Sequence, residues 1–436
     1  MVHLKEFAKY TSLNIIAMVS VSCYILADTF FISWGLGSYG LAALNFAIPV
    51  WGIIFGCSLM LGIGGATKYT ILHSQNNVVG ANRVFTNTIV LMLGFAVFFV
   101  LSGIFFAGRI TTIFGATPEP NSDVFYMSKI YLQILLIFSP IMMANSVLVC
   151  FVRNDGAPKF AMVVMAVISF VNIGLDYVFI IHQEMGMFGA ALATGLANVT
   201  GLLLLSIYFV RRKNGFKLVR CKITKIISLE IFTIGLPSFI TEVSVSVVMV
   251  VFNVIIFGLS GNIGVAAYGV IANILIVIIA IYNGIAQGIQ PLISKYYGNG
   301  NMAATKQILG YALALVAVIS TAVYIVVFFR AGQIASIFNS EQNEVLQNFA
   351  VTGMRIYFTG AVFAGFNIVV SMYFTSVNNP RPAHIISILR GFVVILPLVF
   401  LLSTLGGIAG VWSTFPVTEL IVCGVGYILY EKYRRN

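Results

Sequence analysis

The stretch RRKNGFKLVRCKITK (211–225) is the most basic segment of the chain, with Arg211, Arg212, Lys213, Lys217, Arg220, Lys222 and Lys225 in one loop. On either side the sequence is overwhelmingly apolar. Six apolar runs precede it, at 11–34, 41–67, 84–107, 124–151, 160–181 and 187–210. Six follow, at 226–257, 264–290, 307–329, 348–376, 383–403 and 406–430. A membrane-crossing helix needs about 20 apolar residues, and every run supplies that. Two runs, 226–257 and 348–376, are long enough to tilt or to start outside the lipid. The reading is an all-α integral membrane protein of twelve spans, built as a lobe over 1–210, a basic linker over 211–225 and a lobe over 226–436.

Composition agrees. Of 436 residues, 60% are hydrophobic and 8% charged, against roughly a quarter charged in a soluble domain. Little chain is left for a water-soluble catalytic domain, and the loops hold no catalytic constellation, so no enzyme is expected. The net charge of +11 would suggest nucleic acid in a soluble protein. Here basic cytoplasmic loops account for it, and no nucleic-acid partner is expected. With the N-terminus inside, all but Arg109, Lys129, Arg330 and Arg355 of the 24 Lys and Arg fall on or near the cytoplasmic side. The external loops carry Glu119, Asp123, Glu184, Glu341 and Glu344. Both termini are therefore expected in the cytoplasm. The first apolar run continues through Phe31, too long for a signal-peptide core, and reads as a retained helix. Five cysteines show no disulfide or zinc spacing, the four histidines are scattered, and no Walker motif is present.

The two lobes are repeats. LAALNFAIPV (41–50) matches VAAYGVIANI (265–274), Gly64 falls on Gly288 and Asn77 on Asn301, all at an offset of 224. KIYLQ (129–133) matches RIYFT (355–359), NDGAP (154–158) matches NNPRP (378–382), and GMFGAALAT (186–194) matches GGIAGVWST (406–414). Each lobe has six helices, so both share one topology and are related by an axis along the membrane normal. Substrate is then expected between the lobes, near the midplane.

Charge inside the bilayer costs roughly 2.5–3.5 kcal/mol on insertion scales, so each such residue needs a reason. Four acids lie well inside the spans: Asp28, Asp176, Glu242 and Glu419. Arg390 is the one deep base. Asn172 lies four residues before Asp176, on the same helical face, and the next span supplies Thr194. Two carboxylates, an amide oxygen and a hydroxyl form a hard-oxygen set suited to a small cation. The same carboxylates can instead share a proton. Asn172 and Thr194 can equally hold helices together. In the second lobe Asp28 aligns near Val251–Phe252 and Asp176 near Phe400, so the acid pair belongs to one lobe alone. Glu242, five residues after Pro237, can attract a cationic substrate or titrate. Glu419 and Arg390 read as structural partners across the last two spans. GIGG (62–65) reads as packing or hinge glycine.

The segments ADTFFISWGLGSYGLAALNFAIP (27–49), FVRNDGAPKFAMVVMAVISFVNIGLDYVFI (151–180), MGMFGAALAT (185–194), IGLPSFITE (234–242) and GIAQGIQPLISKYYGNGN (284–301) resemble the MATE (multidrug and toxic compound extrusion) family, in its DinF-like and MepA-like branch. The resemblance covers essentially the whole chain. It implies a V-shaped two-lobe exporter in a prokaryotic cytoplasmic membrane that exchanges drug-like molecules for Na+ or H+, with no other cofactor. It also implies a cation site at Asp28, Asn172, Asp176 and Thr194. Many members carry a proline in the first helix; here that neighbourhood is TSLNIIAM (11–18) and has none, so coupling is expected through small helix shifts. The partners expected are small amphipathic organic cations and the bilayer, for a monomeric protein. The alternative, a lipid-linked oligosaccharide flippase, calls for several intramembrane bases.

Overall fold

The computed structural model describes residues 2–116, 123–211, 214–339 and 342–435. Glu119, Arg212, Lys213 and Glu341 lie outside the described residues. Among those described, nine helices are long and apolar enough to cross a membrane. Three of them are too long for one crossing. Val2–Ser74, at about 1.5 Å per residue, would extend on the order of 110 Å against about 30 Å of hydrocarbon. Each of the three is broken by one glycine of positive φ: Gly37 at 63°, Gly261 at 60° and Gly407 at 54°. A β-carbon is strained there. Divided at these glycines, the nine helices become twelve, as the apolar runs predict.

In chain order they are α1 (2–36) and α2 (38–74), α3 (Val78–Ile113), α4 (Asp123–Asn154), α5 (Pro158–Asp176) and α6 (Gly186–Val210). Then come α7 (225–260), α8 (262–298), α9 (Met302–Phe338), α10 (344–376), α11 (380–406) and α12 (408–435). Repeat-mates share their local chemistry. The Asn77 and Asn301 side chains accept hydrogen bonds from Gly80 N and Ala304 N at the starts of α3 and α9, satisfying donors that a helix start leaves free.

The helices overrun the apolar runs that announce them. α3 exceeds 84–107 at both ends, and α9 exceeds 307–329. Hydropathy registers the stretch that meets hydrocarbon, while the helix continues beyond it. Two π-helical segments are unforeseen: Tyr177–His182, which extends α5, and Leu389–Val393 inside α11. Both lie on the fifth helix of their repeat. A short 3-10 turn, Phe358–Gly360, interrupts α10.

The chain forms two compact units. The first holds 16–243 with 298–300. The second holds the segment ending at Ile15, then 244–297 and 301 onward. The units follow the repeats, except that each repeat places the opening part of its first helix in the other's unit. Glycines make these seats. In the first unit, a β-carbon on Gly235 of α7 would lie 1.8 Å from the carbonyl oxygen of Met60 on α2, and one on Gly64 would lie 2.1 Å from that of Ile231. In the second unit, β-carbons on Gly284 and Gly288 of α8 would meet the backbone of Ile15 and Thr11 on α1 at 2.6 and 2.8 Å. Gly64 and Gly288 are repeat-mates, so one close approach is built twice. Gly64 and Gly65 of GIGG are packing positions; a β-carbon on Gly65 would strike Thr88.

The linker is a docked strap rather than a solvated loop. Lys217 N donates to Asn82 Oδ1 (2.9 Å), Val219 N to Thr86 Oγ1 (3.0 Å) and Thr224 N to Asn87 Oδ1 (3.2 Å), all on α3. Asp155 accepts from Gly215 N (2.7 Å), Tyr208 OH (2.9 Å) and Tyr69 OH (3.0 Å). Phe216 is fully buried among Tyr69, Phe85, Phe151, Tyr208 and Phe209. Four backbone donors of this irregular segment, on Gly215, Lys217, Val219 and Thr224, are thus satisfied by side chains.

Candidate cation site and its counterpart in the second repeat

The first unit brings Asp28, Asn172, Asp176 and Thr194 into one buried group. Asp176 is fully buried, Asn172 nearly so, and Asp28 and Thr194 are under 10% exposed. Asn172 Nδ2 donates to Thr194 Oγ1 at 3.4 Å, and Thr194 Oγ1 donates back to Ala190 O at 3.3 Å. The first of these bonds ties α5 to α6. The two carboxylates interact electrostatically with each other. Tyr131 on α4 and Tyr24 on α1 interact electrostatically with both, and Tyr131 also interacts with Thr194.

What the group lacks decides its chemistry. Asp28 Oδ1, Asn172 Oδ1 and both Asp176 oxygens are buried without a hydrogen-bond partner. No Lys or Arg among the described residues pairs with either carboxylate. A buried charge with no partner is among the costliest arrangements in a protein. Four unsatisfied oxygens that converge from two helices, next to a hydroxyl, therefore fit a proton or one hard cation such as Na+. Among the described residues no three His, Cys, Asp or Glu side chains gather to hold a metal.

Glu242 stands elsewhere. It is half-buried on α7, where a β-carbon on Gly56 of α2 would touch its Cβ at 3.4 Å. Arg390 and Glu419 are partners, as their placement on α11 and α12 predicts. Arg390 Nε donates to Glu419 Oε1, and Asn367 Nδ2 on α10 donates to Glu419 Oε2 at 2.8 Å and to its carbonyl at 2.9 Å. Sequence reasoning missed Asn367. It also missed Tyr131, although that residue is repeated as Tyr357 in KIYLQ and RIYFT. Arg153, at the end of α4, is fully buried and donates to Cys150 Sγ at 3.6 Å. Its position at a span end conceals a burial that hydropathy does not report.

Twelve spans in two repeats, with an unsatisfied buried acid pair inside one of them, define a multi-pass membrane protein of the kind that carries solutes. The profile of the MatE family matches residues 14–178 and again 237–401. The chain belongs to this family, and each half matches its profile separately, which confirms the duplication. Relatives named multidrug export protein MepA include one from Staphylococcus saprophyticus, 27% identical over 93% of this chain and 89% of its own length. Another, from Staphylococcus haemolyticus, is 26% identical over 94% and 90%. Among solved structures, a multidrug resistance MATE family transporter of the MOP superfamily in an outward-facing conformation superposes with a TM-score of 0.91, at 25% identity over 99% of this chain and 95% of its own. A MOP superfamily transporter from Pyrococcus furiosus, described as having a binding pocket of reversed polarity, reaches 0.90 at 25% identity over 99% and 95%.

Proposed function

We propose that this protein exports amphipathic, mainly cationic organic molecules across the cytoplasmic membrane, with both termini in the cytoplasm, in exchange for Na+ or H+. The observation that carries this reading is the set of unpartnered buried oxygens on Asp28, Asn172 and Asp176. The fold needs no such group, since the second repeat lacks it. An ion bound there removes the repulsion between the carboxylates and draws α1 and α5 together. A bound ion shifts a two-state equilibrium only through its different affinity for the two states, so the coupling must act through the placement of these helices. α1 has no non-helical residue before Gly37, which supports coupling by small shifts rather than a kink. The relatives' names support the substrate class. Glu242 supplies a further acid to attract cationic substrates. The flippase reading wants free intramembrane bases, and Arg390 is held by Glu419.

The test is efflux of an organic cation from proteoliposomes under an imposed Na+ gradient and then under an imposed pH gradient. One of the two is expected to drive transport, and Asp28→Asn to abolish that drive. Transport indifferent to both gradients, or a requirement for a lipid pyrophosphate, overturns the proposal.

A further inference from the structure

The strap between α6 and α7 has two unlike sides. One side is docked. The amides of Lys217, Val219 and Thr224 are held by α3, that of Gly215 by Asp155, and Phe216 is fully buried. The other side is open, with Lys217, Leu218, Arg220, Lys222 and Ile223 all exposed. The same character continues into the start of α7, where Lys225 and Ile226 are exposed. Three large aliphatic side chains are thus open between 218 and 226: Leu218 at 66%, Ile223 at 55% and Ile226 at 70%. Each directly follows a lysine, namely Lys217, Lys222 and Lys225.

The protein itself does not answer this charge. Between 211 and 229 the sequence holds no acid. Two acids lie close by, and both are engaged. Asp155 accepts from Gly215 N, Tyr208 OH and Tyr69 OH, and Glu230 pairs with Lys68 at 3.1 Å. Among the described residues no ion pair involves Lys217, Arg220, Lys222 or Lys225. Arg83 of α3 is exposed as well, next to the Asn82 that holds Lys217 N.

Position decides what partner fits. α6 ends at Val210 and α7 begins at Lys225, so both ends of the strap are fixed to membrane spans. The strap therefore lies where hydrocarbon gives way to water. There an aliphatic side chain can enter the acyl region while a lysine stem reaches back to a headgroup phosphate. A dissolved polyanion such as a nucleic acid would meet the bases and leave the three aliphatic side chains in water. Docking already fixes the strap backbone, so a lipid has little chain to order on binding.

We infer that the open side of the strap is a binding surface for anionic phospholipids of the bilayer the protein spans. Lys217, Arg220, Lys222 and Lys225 take the headgroup phosphates, and Leu218, Ile223 and Ile226 enter beneath them. The surface is separate from the acid pair and does not depend on which ion or substrate is carried. Each base near an anionic membrane surface is worth about fivefold in affinity, so three together are worth about a hundredfold.

The experiment places full-length protein carrying Leu218→Trp in vesicles that contain equal fractions of phosphatidylglycerol and phosphatidylcholine, with one or the other brominated. Protein without the substitution gives the baseline from its own three tryptophans. Brominated phosphatidylglycerol should quench the added indole more than brominated phosphatidylcholine does. Adding Lys217→Gln, Arg220→Gln and Lys222→Gln together should lower the phosphatidylglycerol affinity by about a hundredfold and remove the preference. Removing equal charge at the far end of α12, with Lys432→Gln, Arg434→Gln and Arg435→Gln, should leave it intact. Salt at about 1 M should weaken it. If the indole at 218 undocks the strap, Ile223→Trp is read by the same criteria. Equal quenching by the two lipids overturns the inference, and so does a preference that survives the strap substitutions. Displacement of the lipid by glycerol 1-phosphate or by an oligonucleotide overturns it too, by giving the surface to a dissolved anion.

Discussion

Gly235→Ala should be among the most damaging single-methyl additions in this protein. The added β-carbon would sit 1.8 Å from Met60 O, where ordinary contact begins at 3.4 Å. The obstacle is backbone on α2, which cannot rotate away as a side chain can. The two helices would have to part by about 1.6 Å locally. A radial gap of about 0.5–1 Å already forfeits a quarter to a half of each dispersion contact along a seam, so this gap forfeits more. Overpacking of this kind costs about 1–3 kcal/mol and occasionally more; with backbone as the obstacle we expect about 3 kcal/mol. In a unit of this size that lowers the thermal midpoint by about 6–12 °C. Gly258→Ala, on the same helix with nothing within 4 Å, is the control. It should be neutral or stabilise by up to about 1 kcal/mol, through helix propensity alone. Gly64→Ala meets Ile231 O in the same seam, so the double variant should cost much less than the sum of the singles. Melting of the purified protein in detergent, with the three single variants and the double, reads all of this. If Gly235→Ala melts within 2 °C of Gly258→Ala, taking about 2 °C as the resolution of the comparison, the glycine seat is not what joins α7 to α2.

Asp176→Asn should abolish ion-driven efflux while the protein still expresses and melts cooperatively, and Thr194→Ala should weaken efflux without abolishing it; normal ion-driven transport by Asp176→Asn refutes the site. Phe216→Ala should cost about 3–5 kcal/mol, and Asp155→Ala should lower stability as well by leaving two hydroxyls and an amide without their acceptor. Limited proteolysis should then cut within 214–225, and an uncut strap would show that the docking does not depend on them. Glu242→Gln should reduce export of cations more than of neutral compounds, and an equal loss for both would remove Glu242 from substrate selection.

The spans and the acid group were legible for the same reason. Hydrocarbon penalises charge so heavily that the few exceptions stand out, and Asp28, Asp176, Glu419 and Arg390 all proved to be buried or paired inside units. The candidate positions Asn172 and Thr194 followed from helical spacing and from the family resemblance together. Tyr131 and Asn367 were harder to see, because neutral polar residues in an apolar span are common and nothing in their own spacing marks them. The repeat marks Tyr131 alone, through Tyr357. The strap was hidden by its own composition. Lys217, Arg220 and Lys222 make it look solvated, whereas its backbone amides and Phe216 do the docking. The π segments leave no hydropathy signature, since one extra residue per turn leaves the apolar content unchanged.

A chain that seats the start of α1 on α8, and the start of α7 on α2, cannot be divided at the linker into halves that each keep a complete partner set. Each half completes its first-helix contacts only with the other, as protomers that exchange an element do. The strap docked on α3 makes that encounter an event within one molecule, at high effective concentration. This dependence is open to assay. Expressed alone, each should leave its glycine seat bare to lipid and be degraded. Co-expressed, they should recover one another and purify as a pair.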